Sequence, residues 1–216
     1  MTTIGFIGSG KIGSALARSA VAQGHEVVVS NSRSPETLAE LVAELGPGAR
    51  AEWAADAAAA GDIVVVSIPL HAIFDIDTAG LAGKIVLETN NYYPERDGRI
   101  AAIDDEQATT TSLLQQLVPT ARVVKAFNHI SWLHIPKQAL PAGAEGRRAL
   151  AIAGDDAEAK SWARAFVDAT GFDVVDVGSA AESWRIENGT PGYGPRLSSA
   201  ELEAALASAE RSAVHP

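Results

Sequence analysis

The 216-residue chain contains no cysteine. That excludes a disulfide framework, a Cys-based zinc site and a thiol nucleophile. Positive charge is also scarce. The 17 Lys and Arg stand against 27 Asp and Glu, a formal charge of −10. Nonspecific nucleic-acid binding needs clustered Lys and Arg, so it is not expected. No apolar run approaches the roughly 20 residues of a membrane span. Residues 1–8 set no basic region ahead of an apolar stretch, so no secretory leader is expected and the cytoplasm is the expected compartment. What remains is the composition of a globular protein, 47% hydrophobic and 20% charged.

Short apolar runs alternate with helical stretches along the chain. Strands are expected at 4–8, 26–30, near 50–53, 63–67, 84–88 and 122–127. Helices are expected at 11–23, from the Ser34-Pro35 cap to about Leu45, at 54–60, at 73–79 and ending at 112–117. Strands apolar throughout imply a parallel sheet covered on both faces. The expected fold is therefore α/β, a doubly wound, mostly parallel sheet in the order 3-2-1-4-5-6. A strand at 149–153, a helix at 156–170 and a strand at 173–177 extend it by two strands. A last helix at 198–209 opens with Ser198 and Glu201 in capping-box spacing. One domain is expected over 1–216, with the sheet and its extension in 1–178 and a C-terminal loop and helix in 179–216.

Gly8-Ser9-Gly10-Lys11-Ile12-Gly13 matches G-x-G-x-x-G between a strand and a helix. Gly8 allows the tight turn, Gly10 lets a pyrophosphate approach, and Gly13 lets helix and strand pack closely. The helix N-terminus offers free N–H groups to phosphate. Gly5 to Lys11 also spells the P-loop pattern G-x-x-x-x-G-K. However, Ile12 stands where Ser or Thr would hold magnesium, and Gly5 lies inside the strand run, so ATP or GTP hydrolysis is not expected.

An NAD site carries Asp or Glu at the end of the second strand. Here that end reads Ser30-Asn31-Ser32-Arg33-Ser34. With no acid present and a guanidinium beside small polar donors, the pattern favours the 2′-phosphate of NADP.

Ligands of an open α/β sheet lie beyond the carboxyl ends of its strands. Those ends carry Ser67-Ile68-Pro69-Leu70-His71, Thr89-Asn90-Asn91-Tyr92-Tyr93-Pro94 and Lys125-Ala126-Phe127-Asn128-His129, with Trp132 and His134 following. Amides and aromatic rings suit a flat conjugated ligand near the nicotinamide. Trp132 and Tyr92 can equally be packing residues, and His25, at the entry to strand two, reads as structural. The loop 187–195, rich in Gly and Pro, is placed to cover such a site. His71, His129 and His134 lack metal-ligand spacing, so no metal is expected.

Taken together, Gly8–Gly13, Ser30-Asn-Ser-Arg33, Ser67-Ile-Pro69, Asn90-Asn-Tyr-Tyr-Pro94 and Val124-Lys-Ala-Phe-Asn128 resemble the NADP oxidoreductases dependent on coenzyme F420. They are also similar to pyrroline-5-carboxylate reductase N-domains and metalloreductase oxidoreductase domains. The resemblance covers about residues 4–178. It implies that Ser9, Lys11 and Ile12 line the pyrophosphate and that Asn31, Ser32 and Arg33 hold the 2′-phosphate. It also implies that Ser67, Ile68 and Pro69 approach the nicotinamide, with Ala126 and Asn128 nearby. His71, Asn90 and Asn91 fall beside them at the strand ends.

The implied reaction is hydride transfer between NADPH and a deazaflavin such as coenzyme F420, or a flavin, with no obligatory protein acid. A second reading is reduction of a small carbonyl or imine, which needs a proton donor, with His129 the candidate and His71 the alternative. A third is a non-enzymatic NADP sensor. The partner is a small-molecule substrate, with no nucleic acid or membrane. A homodimer through the C-terminal segment is an expectation drawn from Leu202 and Leu206 sharing a helix face.

Overall fold

The computed structural model describes residues 2–211. The strands are β1 (Thr3–Ile7), β2 (Glu26–Ser30), β3 (Ala49–Ala51), β4 (Ile63–Val66), β5 (Ile85–Glu88), β6 (Arg122–Lys125), β7 (Ala149–Gly154) and β8 (Asp173–Gly178). The α-helices are α1 (Lys11–Ala22), α2 (Ala39–Leu45), α3 (Ala54–Ala60), α4 (Pro94–Asp97), α5 (Ala101–Asp104), α6 (Thr110–Leu117), α7 (His134–Gln138), α8 (Ala157–Thr170) and α9 (Ser199–Ala207). The strands form one sheet in the order β3-β2-β1-β4-β5-β6-β7-β8. Among the described residues only β6 and β7 meet antiparallel. This is the doubly wound sheet the sequence implies, with the two added strands on the β6 side.

Alternate side chains of the same strands fill two core layers, as the two-residue repeat of a strand requires. Phe6, Val29, Val65, Leu87 and Val124 enter the layer that holds Leu16 of α1 and Phe166 of α8. Ile7, Val64, Val66, Val86 and Val123 enter the other, with Ala58 of α3 and Leu114 of α6. Burial on both faces is why these strands read as continuous apolar runs.

The register sets up the site. Ile7 pairs with Ser30 and with Val66, Val66 with Glu88, and Glu88 with Lys125. Five strands therefore end level, and their following loops open on one edge.

Several local expectations are corrected. Strand six stops at Lys125, not Phe127. Phe127 takes a left-handed φ of 58° and buries its ring edge-on to Phe166 at 6.0 Å, which breaks the ladder. The segment 73–79 is not one helix: it holds the end of one 3-10 turn, Leu70–Phe74, and the start of another, Ala79–Leu81. Asp77 Oδ1 accepts the Ala79 N–H at 2.9 Å, and this local bond competes with a continuous helix. Ser34 precedes a 3-10 turn, Pro35–Leu38, and makes no side-chain cap. The capping box of α9 forms between Ser198 and Glu201. Leu202 and Leu206, the basis of the expected dimer, pack on Ala149, Ala151 and Val175 of the chain's own sheet. Among the described residues no helix is long and apolar enough to cross a membrane.

Candidate functional site

The loop after β1 is shaped by its glycines. Gly8 has a φ of 97°, and a Cβ there would stand 2.3 Å from the Ser67 carbonyl oxygen. A Cβ on Gly13 would stand 2.1 Å from the Gly8 carbonyl oxygen, so this glycine lets α1 sit against the loop. Gly10 faces open space. It is the N-cap of α1 without a side-chain cap, and no acidic residue occupies the first turn. The first N–H groups of α1 thus lack intrahelical partners and carry the positive end of the helix dipole. Ser9 Oγ donates to the Ser30 carbonyl and Ser14 Oγ to the Ser9 carbonyl, each at 2.9 Å, bracing the loop against β2.

Beyond β2, the Asn31 side chain builds the turn. Its Nδ2 donates to Thr37 Oγ1 and its Oδ1 accepts the Arg33 N–H, both at 2.8 Å. Asn31 therefore shapes the turn, while Ser32 and Arg33 are exposed. Arg33 forms no ion pair among the described residues.

Two cavities meet along this edge. One, of about 440 Å³, is lined by Gly8, Ser9, Asn31, Ser32, Arg33 and His71. The other, of about 410 Å³, is lined by Lys11, Ile12, Asn90, Asn91 and Asn128. Both include Gly10, Ser67, Ile68 and Pro69, so they form one cleft. Most residues singled out in the sequence meet here. Gly13 serves packing instead. Ala126 is a correction: it is fully buried in the core and lines neither cavity.

His129 is the larger correction. Its ring is buried, Nε2 accepts the Ala151 N–H at 2.9 Å, and Nδ1 donates to the Gly192 carbonyl at 3.1 Å. Burial, with the Arg148 and Lys125 cations, pushes its pKa down to about 4. It stays neutral with both nitrogens engaged, and it lines neither cavity, so no proton donor role is open to it. His71 sits on the cleft rim and bonds Asp97 through Nδ1 at 3.0 Å. Burial pushes the Asp97 carboxyl up, but Arg96, the Tyr93 N–H and His71 overcome this and hold it at about 2.

Behind Asn90, which lines the cleft, lies a buried ion pair. Lys125 Nζ lies 3.0 Å from Glu88 Oε2, and both side chains are 0% exposed. Lys125 also donates to the Asn90 carbonyl at 2.8 Å and to Thr110 Oγ1. Glu88 accepts from the Asn90 N–H and, at 2.8 Å, from Thr111 Oγ1. Both backbone polar groups of Asn90 are thus fixed by the pair. Asn91 and Asn128 bond each other twice: Asn91 Nδ2 to the Asn128 carbonyl at 2.8 Å, and Asn128 Nδ2 to Asn91 Oδ1 at 3.1 Å.

A family model described as NADP oxidoreductase, coenzyme F420-dependent, matches residues 3–92. A hypothetical protein of Sinorhizobium meliloti, SMa0349, is 32% identical in sequence with a TM-score of 0.76, over 91% of this chain and 95% of that one. The chain belongs to this family of NADP oxidoreductases. A protein described as an F420-dependent NADP-reductase, from Arthrobacter sp. FB24, shares the fold at TM-score 0.71 and 24% identity, over 85% of this chain and 87% of that one. Metalloreductase STEAP3 of Rattus norvegicus is 32% identical over 188 residues, 85% of this chain. The chain spans 35% of that relative's length, and 39% of a second relative, the Escherichia coli protein YjhV.

On the far wall of the cleft, Arg96, Ile130 and Ser131 are the lining residues that the sequence did not single out. Thr89, Tyr93, Arg96, Ile130, Ser131, Trp132 and Tyr193 all line the 410 Å³ cavity. Lys11 Nζ stands 5.6 Å from the centre of the Trp132 ring. Trp132 is therefore a wall of the cleft, whereas Tyr92 is buried, with its hydroxyl on Asp104 and the Gly98 carbonyl. The strand-end motif and the 187–195 loop were visible in sequence. That Tyr93 and Tyr193 meet across a hundred residues was not.

Proposed function

We propose that the protein binds NADP(H) along the cleft and transfers hydride between it and a flat conjugated acceptor, a deazaflavin such as coenzyme F420 or a flavin. The observation that carries this is the continuity of the cleft. It joins an uncapped helix N-terminus and a free guanidinium to a compartment walled by amides and aromatic rings. The first-turn N–H groups of α1 would take the pyrophosphate. Ser32 and Arg33 would take the 2′-phosphate, and Ser67, Ile68 and Pro69 would flank the nicotinamide. When bound, NADPH supplies the hydride. The chain's own part is to hold the two rings face to face and to keep water out of the compartment.

The cofactor half is tested by Arg33→Ala. A guanidinium–phosphate contact contributes about 1.5–3 kcal/mol, so NADPH affinity is expected to fall roughly 10- to 100-fold. NADH affinity should change by less than about two-fold, since it lacks the phosphate. Equal losses, measured by nucleotide fluorescence titration, would refute the assignment. The acceptor half is tested by mixing the protein with NADPH and oxidised coenzyme F420, or FMN, and following both absorbances. Intact NADPH binding with no turnover on either would overturn the acceptor assignment. For reduction of a small imine or carbonyl the engaged, neutral His129 is not available, which leaves His71 on the cleft rim as the histidine donor of that reading.

A further inference from the structure

The cleft wall that faces α1 holds a hydroxyl pair that the proposed reaction has not yet used. Tyr93 follows β5, and Tyr193 lies in the 187–195 loop. Their hydroxyls are hydrogen-bonded to each other, and both rings line the 410 Å³ cavity. In such a pair one hydroxyl donates and the other accepts. The accepting phenol keeps its own proton free for a third group, and as a donor it is strengthened by the bond it receives.

The placement is built from both sides. The Gly192 carbonyl, just before Tyr193, accepts from His129 Nδ1, and the Gly194 carbonyl, just after it, accepts from Arg148 Nη2 at 3.2 Å. Both donors are buried. Arg148 Nη2 also donates to the His129 carbonyl at 3.1 Å, which joins the two anchors. At the root of the loop, Glu187 accepts from Thr110 through the N–H and the hydroxyl, each at 3.1 Å. On the other side, the Arg96 guanidinium lies 4.9 Å from the centre of the Tyr93 ring. A surface loop that merely packed would not need two buried cationic or polar side chains on the carbonyls flanking one tyrosine.

We propose that the Tyr93–Tyr193 pair is the hydrogen-bond donor for the acceptor, stabilising the negative charge that hydride transfer leaves on it. His129 and Arg148 are the positioning residues that hold Tyr193 to this task. The inference rests on the hydride-transfer reading above. Hydride carries its electron pair to the acceptor ring, and NADPH becomes NADP⁺. The electron pair of the reduced double bond moves to a ring nitrogen or carbonyl oxygen. The phenol donates a hydrogen bond to that atom and keeps its proton, so the bound products are NADP⁺ and the reduced acceptor as an anion, which balances the transfer without a proton. Burial and the Tyr93 hydroxyl push the Tyr193 pKa up, so this phenol remains a donor throughout the working range. The substrate class that fits is a conjugated heterocycle whose reduced form is an anion, rather than an isolated carbonyl that needs a full proton transfer.

The test compares the intact protein with Tyr93→Phe, Tyr193→Phe and the double change. The equilibrium affinity of each for oxidised and for chemically reduced coenzyme F420 is measured anaerobically, with a second series on FMN. Phenylalanine keeps the ring and removes only the hydroxyl. The proposal expects affinity for the reduced form to fall about 10- to 100-fold and affinity for the oxidised form by less than about three-fold. The double change should cost no more than the worse single one, because the pair acts as a unit. NADPH affinity should not move, and kcat should fall with KM for the acceptor nearly constant. Equal losses for both redox forms, or no loss, would overturn the proposal while leaving hydride transfer standing. If the unmodified protein bound neither acceptor and turned over neither, the hydride-transfer reading itself would fall, and the proposal with it.

Discussion

Lys125→Met is expected to destabilise the protein by about 3–5 kcal/mol, a third or more of a typical domain's stability. The size follows from what is left behind. Methionine fills much of the same volume, but the fully buried Glu88 carboxyl would lose its cationic partner. The Asn90 carbonyl and Thr110 Oγ1 would also lose a donor. Adding Glu88→Gln should recover much of the loss, because the buried carboxyl that faced Lys125 is gone and the amide can still accept from the Asn90 N–H; the part-buried Glu187, 4.0 Å from Lys125 Nζ, accounts for what is not recovered. Urea unfolding of the three proteins checks this through their midpoints and slopes. A loss below about 1 kcal/mol for the single change would mean that water reaches the pair, contrary to the burial seen.

Acid is expected to strip a further part of the stability through His129. Its pKa is near 4 when folded and about 6.5 in an unfolded chain. The unfolded state therefore binds the proton more readily. The stabilising contribution is complete above about pH 6.5 and declines as pH falls toward 4, by up to about 3 kcal/mol. Comparing unfolding free energies near neutral pH and near pH 4.5 isolates this, with His129→Gln as the control. The parent should lose about 2–3 kcal/mol more than the variant across that interval. Asp97, held at about 2, titrates below it. Parallel pH profiles would show that His129 is protonated in the folded protein, and its donor and acceptor roles would have to be reassigned.

The framework was legible because its signals are local. A glycine pattern between a strand and a helix, runs of Val and Ile buried on both faces, and a strand-two end without a carboxylate each lie within a few neighbouring residues. What escaped depends on contacts between distant segments. Glu88 and Lys125 each stand at a strand end in the sequence, but only the β5–β6 register makes them cross-strand partners. His129 sits two residues past the expected end of strand six and four past its observed end. Its fate was decided by Ala151 on β7 and Gly192 in the late loop, neither of which a local motif reveals. Ala126 follows the same strand but turns into the core, where the left-handed Phe127 redirects the chain. The antiparallel meeting of β6 and β7 likewise follows from chain path, not from strand composition.

The central claim is direct hydride transfer between two rings held in one cleft. It is tested by supplying NADPH deuterated at C4, in each of its two stereochemical forms, with oxidised coenzyme F420 in ordinary water. A deazaflavin carries carbon where a flavin carries its reactive nitrogen, so the label, once transferred, stays. Deuterium on that carbon from one form of NADPH and not the other is the expected result, since a single binding pose presents one face. Reduced acceptor without deuterium from either form, or no reduced acceptor while NADPH remains bound, would contradict the account.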